Sequence, residues 1–107
     1  KQRTTLQTFV ERCREQGEKP ISDHAPLLRY VEESGLPMPF VQLCWHEFKA
    51  EFLPGGPKAA QLQADWRAHF MNFVRKGYYR LWHAKDGRYE LTTAGVQADR
   101  VHNREAA

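Results

Sequence analysis

A stretch in the second half of the sequence, residues 66–82, interleaves aromatic and basic side chains with no acidic residue among them. Binding of single-stranded nucleic acid requires such a mixture, because cations contact the phosphates and flat rings stack on the bases. Within this stretch, Trp66, Phe70 and Phe73 follow helical core spacing, which indicates packing. Three other rings lie where the helical pattern ends, so at least one should face away from the core. These candidate stacking residues are Tyr78, Tyr79 and Trp82.

The basic residues in and just after this stretch are candidate phosphate contacts. They are Arg67, Arg75, Lys76, Arg80, Lys85 and Arg88. Residues 58–88 contain seven Lys or Arg against two Asp or Glu, whereas residues 1–57 contain seven against eight. Such a concentration of positive charge attracts polyanions. Charge alone is also what a solvated basic face would give, so the prediction depends on the charge and the rings together.

Sequence patterns of catalysis are missing, so we expect no enzyme and no cofactor. Phosphate-cradling glycine motifs, HExxH and GxSxG do not occur. The five histidines are scattered along the chain rather than grouped: His24, His46, His69, His83 and His102.

The two cysteines, Cys13 and Cys44, stand at helical core positions and are expected to be buried, reduced thiols. Cys44 and His46 would point to different sides of a helix, so no metal site is expected. Free thiols favour a cytoplasmic setting. No apolar run approaches the roughly 18 residues of a membrane span, so no membrane partner is expected.

Spacing of apolar residues predicts a mainly α domain, a bundle of about five helices with one small β-hairpin. A first helix should be capped by Thr4 or Thr5 and end at Gly17. A second should be capped by Asp23, carry Leu27, Leu28 and Val31, and end at Gly35. A third should begin near Pro39 and end before residues 54–56. A fourth, about twenty residues long, should open at Pro57, include Leu62 in its apolar stripe, and close at Gly77.

After Gly77 the period of the pattern changes from that of a helix to that of a strand. Residues 79–83 and 88–91 alternate around Asp86-Gly87, a dipeptide typical of tight hairpin turns. A terminal helix capped by Thr92 or Thr93 should carry Val96 and Val101 and fray over residues 103–107. We therefore expect one domain, excised from a longer protein. Its parts are N-terminal helices (1–35), a core helix pair (39–77), the hairpin (78–92) and the terminal helix (93–104).

The segment from Phe40 to Trp82 resembles the DnaT-like single-stranded-DNA-binding domain of a bacterial primosomal protein and of phage and prophage replication proteins. The resemblance is carried by the run Asp65-Trp66-Arg67, followed by Phe70, Asn72, Phe73, Val74 and Arg75. Phe73 stands where the family pattern has a second tryptophan. The resemblance implies a non-catalytic helical module that binds single-stranded DNA, in preference to duplex, in replication complexes. It also implies a replicative helicase or its loader as a possible partner.

Two alternatives remain open at this stage. The hairpin and residues 89–95 resemble the wing of winged-helix regulators, in which the fourth helix would enter the major groove of duplex DNA. The acidic residues of the first two helices could instead form a protein-interaction surface of a replication complex, although a solvated face explains them equally well. These residues are Glu11, Glu15, Glu32 and Glu33.

Overall fold

The computed structural model describes residues 2–103 of the chain. These residues form five α-helices and a two-stranded antiparallel hairpin that precedes the last helix. The elements are α1 (Leu6–Glu15), α2 (Ala25–Ser34), α3 (Met38–Phe52), α4 (Trp66–Lys76), β1 (Trp82–Lys85), β2 (Arg88–Leu91) and α5 (Thr93–Asn103). The predicted mainly α fold is confirmed. Fraying was predicted for residues 103–107; Asn103 belongs to α5, whereas the predicted helix end at residue 104 and the rest of the fraying segment lie outside the described residues.

The first helix begins and ends where the sequence predicts. The side chain of Thr5 accepts a hydrogen bond from the Thr8 N–H, which makes Thr5 the N-cap. Gly17 has a left-handed φ of 70°, and the next residue, Glu18, donates its N–H to the carbonyl of Cys13 at 2.8 Å. This arrangement satisfies a free carbonyl at the end of α1.

The second helix ends at Gly35 as predicted, but the prediction of its cap is wrong. His24 occupies the N-cap position, and no side chain caps α2. A proline, Pro26, stands in the first turn, where its missing N–H removes one donor that a cap would otherwise satisfy.

Helices α3 and α4 supply the centre of the core, as predicted. Phe48 is fully buried and contacts rings of both helices at centroid distances from 4.7 to 5.9 Å. Those rings belong to Trp45, Phe52, Trp66, His69, Phe70 and Phe73. Several are edge-to-face pairs, the geometry that aromatic quadrupoles favour.

The prediction that the fourth helix opens at Pro57 is wrong, because α4 begins only at Trp66. Residues 57–60 instead form turns, residues 61–62 have no regular structure, and Gln63 makes an antiparallel bridge with Thr4 through two backbone hydrogen bonds. Trp66 donates its indole N–H to the Thr4 carbonyl at 2.8 Å. The hydrogen bonds with Thr4 occupy the backbone N–H and carbonyl of Gln63, which would pair within the chain segment itself if it were a helix. Leu62, predicted in the apolar stripe, is 45% exposed.

The terminal helix also packs through a different face from the one predicted. Its buried residues are Gly95 and Ala98, whereas Val101 is 67% exposed and Val96 is also exposed. The small residues let α5 approach α3 and the base of the hairpin closely. Hydrophobicity alone therefore indicated the wrong side of this helix.

The hairpin turns at Asp86-Gly87, as predicted. Both residues have positive φ, as a type I′ turn requires. Trp82 pairs with Leu91, and Lys85 pairs with Arg88. Strand β1 is shorter than predicted, because Tyr79 and Arg80 belong to the turn that follows α4 and Leu81 lies between that turn and the strand.

Both cysteines are buried and free, as predicted. Burial raises the pKa of Cys44 to about 12 and also raises the pKa of Cys13. Both thiols therefore stay protonated and act as small core residues. Among residues 2–103, no helix combines the length and apolarity needed to cross a bilayer.

Candidate nucleic-acid interface

The C-terminal end of α4 fixes the position of Tyr78. Gly77 adopts a left-handed φ of 56°, its N–H donates to Val74, and the N–H of Tyr78 donates to the Phe73 carbonyl at 3.0 Å. This is the Schellman arrangement, which usually brings the two outer side chains into contact. Here the rings of Phe73 and Tyr78 lie 4.3 Å apart, centroid to centroid, at 33°. Tyr78 is therefore braced on one side, yet 49% of its surface is exposed.

Three cationic residues lie within three positions of Tyr78 in the sequence, and their side chains are all exposed. Arg75 and Lys76 form the last turn of α4, and Arg80 lies in the turn that follows. The guanidinium of Arg75 lies over the ring of Tyr30 at 5.9 Å. We call Arg75, Lys76, Tyr78 and Arg80 the α4-end surface.

Arg80 holds an unusual backbone conformation at this surface, with φ of 56°. Left-handed φ is unfavourable for a residue with a Cβ and persists only where the surroundings fix it. The Arg80 N–H donates to the Gly77 carbonyl at 2.9 Å, and its own carbonyl accepts the Thr92 hydroxyl at 2.6 Å. Thr92 is also the N-cap predicted for the terminal helix, because its Oγ1 accepts from the Gly95 N–H. The start of α5 therefore holds the turn that carries Arg80.

The hairpin adds two more exposed cations, Lys85 and Arg88. They stand directly opposite each other at the turn, where like charges disfavour pairing. A polyanion at the tip would relieve that repulsion. Glu90 lies on the same exposed face of the hairpin as Lys85 and Arg88, and its carboxylate lowers the positive charge there.

Arg67 was predicted to contact phosphate, but the structure places it elsewhere. Its guanidinium donates to the carbonyls of Pro20 and Lys19, at 2.8 and 3.1 Å, and lies over the Phe9 ring at 5.1 Å. A longer ion pair, 3.9 Å, joins it to Glu18. Arg67 thus holds the loop between α1 and α2 against the start of α4, and is not part of the exposed cationic surface.

Two of the three predicted stacking rings are engaged by the protein itself. Tyr79 is half-buried and donates its hydroxyl to Glu51 Oε1 at 2.6 Å. Burial, and then Glu51, raises the pKa of Tyr79, so the phenol stays protonated. Trp82 is half-buried on the inner face of the hairpin, and its ring stacks on Phe40 at 6.4 Å. Of the three rings, only Tyr78 leaves about half of its surface exposed.

One cation near this ring was missed by the sequence reasoning. Lys58 precedes Tyr78 by twenty residues and lay inside the helix predicted from Pro57. Its ammonium lies 3.2 Å from Glu51 Oε2 and 5.8 Å from the centre of the Phe52 ring. The pKa of Lys58 is raised, first by Glu51 and then, more weakly, by Tyr78. Only tertiary contact brings Lys58 to this place, and no local pattern indicates it.

Histidines make the stability of the fold depend on pH. Burial is the first cause that lowers the pKa of His24, His46 and His69, and the Nε2 atom of His69 is buried without a hydrogen-bond partner. In the unfolded chain the pKa of a histidine side chain is about 6.5. Below that pH the unfolded state binds more protons than the folded state, so these groups favour unfolding as the pH falls.

We therefore expect the thermal unfolding midpoint to fall as the pH is lowered from about 7.5 to about 5.5. Replacing His69 with phenylalanine removes both a titrating group and the unpaired Nε2, so the decrease should become smaller. The exposed His83, replaced by glutamine, serves as the control and should leave the pH dependence as it is. An equal slope in wild type and His69→Phe would contradict this account.

Comparisons of the chain with protein-family models, with curated proteins and with solved structures found no match.

Proposed function

We propose that this domain is a non-catalytic module that binds single-stranded DNA in replication complexes of a phage or prophage. The observation that carries the proposal is Tyr78, a half-exposed ring that packs on Phe73 and has the exposed cations Arg75, Lys76 and Arg80 within three positions of it in the sequence. A ring held in place by the fold can stack on a base without losing much further freedom. The flanking cations supply the attraction for phosphate that such binding requires. The resemblance of residues 40–82 to the DnaT-like domain supports the same function.

Single strands fit this surface better than duplex. Stacking needs a base whose face is free, and a paired base within a duplex does not offer one. The duplex alternative rests on the hairpin, in which Lys85 and Arg88 stand opposite each other next to the turn. However, residues 53–65 separate α3 from α4, a longer connection than the three or four residues of a helix-turn-helix.

Replacing Arg75 and Arg80 together with alanine should weaken binding of a labelled oligothymidine by on the order of tenfold near 0.1 M salt. Each lost phosphate contact should also reduce the salt slope by about 0.7 for a single strand. Fluorescence anisotropy across a salt series measures both quantities. The double variant Arg12→Ala and Arg14→Ala removes the same charge from α1 and should change neither by a comparable amount.

The same titration with a duplex of equal length separates the alternatives. Tighter binding of duplex would support the winged-helix reading and contradict ours. Absence of salt-sensitive binding to either DNA would contradict both, and would leave a protein-interaction domain, with a helicase or its loader as the partner to test.

A further inference from the structure

Around Tyr78 the structure assembles parts that are far apart in the sequence. Four side chains form a continuous row. The Lys58 ammonium lies 5.8 Å from the Phe52 ring, Phe52 lies 5.8 Å from Phe73, and Phe73 lies 4.3 Å from Tyr78. One end of this row is a half-exposed ring, and the other is an ammonium group whose side chain is 43% exposed. Glu51 first, and then Tyr78, raises the pKa of Lys58, so the two ends of the row also lie close to each other. A flat ring with a cation nearby supplies the two groups that recognise one nucleotide.

Glu51 occupies the place beside the ammonium. One carboxylate oxygen accepts the Tyr79 hydroxyl at 2.6 Å, and the other lies 3.2 Å from the Lys58 nitrogen. The Tyr79 bond is partly buried, and the Glu51 side chain is 16% exposed, whereas Lys58 is on the surface. Because the ammonium end of this pair is exposed and the Tyr79 hydroxyl still hydrogen-bonds Glu51, the Lys58 side chain can turn to another anion while Glu51 keeps a partner.

The backbone keeps Lys58 at this place independently of its side chain. The Lys58 N–H donates to the Glu51 carbonyl at 2.9 Å, at the end of α3. Gly56 approaches the same turn so closely that a Cβ there would lie 2.2 Å from the Ala50 carbonyl oxygen. The ammonium is therefore carried by a fixed loop, and only the side chain itself needs to move.

We propose that Lys58 and Tyr78 form a nucleotide subsite for single-stranded DNA, in which a base stacks on the outer face of Tyr78 and a phosphate replaces Glu51 beside the Lys58 ammonium. This inference rests on the proposed function and adds to it a cation outside the α4-end surface. It also assigns Glu51 as an internal competitor of the phosphate. Removing the carboxylate should therefore strengthen binding, the opposite of what loss of an ordinary structural ion pair would do.

The stacking half is tested with Tyr78→Leu, because leucine keeps an apolar contact with Phe73 but has no flat face. Affinity for oligothymidine should fall by on the order of tenfold. Affinity for an abasic oligonucleotide of equal length should stay the same, since that strand offers phosphates without bases. Tyr78→Phe keeps the ring and should bind as wild type does. Equal losses on both oligonucleotides would overturn the assignment of Tyr78 as a stacking residue.

The phosphate half is tested with Lys58→Gln and Glu51→Gln. Lys58→Gln should lower affinity and reduce the salt slope by about 0.7, whereas Lys19→Gln, which changes an exposed lysine on another loop, should do neither. Glu51→Gln keeps an oxygen for the Tyr79 hydroxyl and should raise affinity several-fold. The unfolding midpoint of each variant shows that it is folded. An unchanged slope for Lys58→Gln, or weaker binding by folded Glu51→Gln, would overturn the subsite.

The subsite can fail separately from the function on which it rests. If Tyr78→Leu, and Arg75→Ala with Arg80→Ala, weaken binding while Lys58→Gln does not, only the subsite is wrong. If wild type shows no salt-sensitive binding of oligothymidine, the proposed function is wrong and the subsite with it.

Discussion

Replacing Phe48 with alanine is expected to lower the free energy of unfolding by about 3 to 5 kcal/mol. The side chain is fully buried and contacts six other rings, four of them on α4 rather than on its own helix. Deleting it removes the transfer free energy of a large apolar group and leaves a cavity among rigid rings. Such rings cannot rearrange to fill the space, so the cost should lie toward the upper end of the range.

Urea denaturation followed by tryptophan fluorescence measures this loss, because Trp45 and Trp66 both contact Phe48. The midpoint should shift without a change in the slope. A domain of this size has about 5 to 15 kcal/mol of stability in total, so Phe48→Ala could be too unstable to measure. Phe48→Leu retains part of the volume and should show a smaller loss in the same direction. The exposed Leu28, replaced by alanine, is the control and should change stability by less than about 0.5 kcal/mol.

Much of the fold follows from local patterns of the sequence. Gly17, Gly35 and Gly77 end three helices because a left-handed residue closes each of them, and the Asp86-Gly87 turn sets the register of the hairpin. The patterns fail where distant segments compete for the same backbone groups. Residues 57–64 have helix-compatible composition, but Thr4 pairs with Gln63 across the whole intervening chain. No local signal contains that partner.

The candidate site was predicted in outline but not in detail. Charge and ring content predict a site within residues 67–88, and the exposed cations Arg75, Lys76 and Arg80 lie in that range. Exposure of each ring, however, depends on what the rest of the fold offers it. Glu51 engages Tyr79, and Phe40 covers one face of Trp82. The two cations Arg67 and Lys58 differ from the prediction for the same reason. Arg67 was predicted to contact phosphate but is bound by loop carbonyls, whereas Lys58 was not predicted and tertiary packing brings it near Tyr78.

The close contact between α5 and the base of the hairpin leads to the second large prediction. A Cβ at Gly95 would lie 1.9 Å from the Leu81 carbonyl oxygen and 2.9 Å from its carbon. The same oxygen accepts the Thr92 N–H at 3.0 Å. Because both atoms belong to backbone, no rotation of a side chain can make room. Alanine at this position must push α5 away from the turn and break or lengthen that hydrogen bond.

Gly95→Ala is therefore expected to destabilise the domain by about 2 to 3 kcal/mol. Helix propensity alone predicts the opposite sign, a gain of about 1 kcal/mol for glycine to alanine inside a helix. The sign measured by chemical denaturation thus distinguishes the steric effect from the propensity effect. Gln97→Ala, an exposed change in the same helix, should stay within about 0.5 kcal/mol of wild type. A more stable Gly95→Ala variant would mean that α5 does not lie against Leu81 as described.

The same substitution should also weaken binding of oligothymidine if the α4-end surface is the DNA contact. Thr92 holds the Arg80 carbonyl at 2.6 Å, so a displaced α5 releases the turn that keeps Arg80 in its left-handed conformation. Phe48→Leu provides the comparison, because it lowers stability from within the core without touching that turn. At a temperature where both variants are folded, Gly95→Ala should lose affinity and Phe48→Leu should not. Equal affinities would mean that the conformation of Arg80 has no part in binding, and that its charge alone matters.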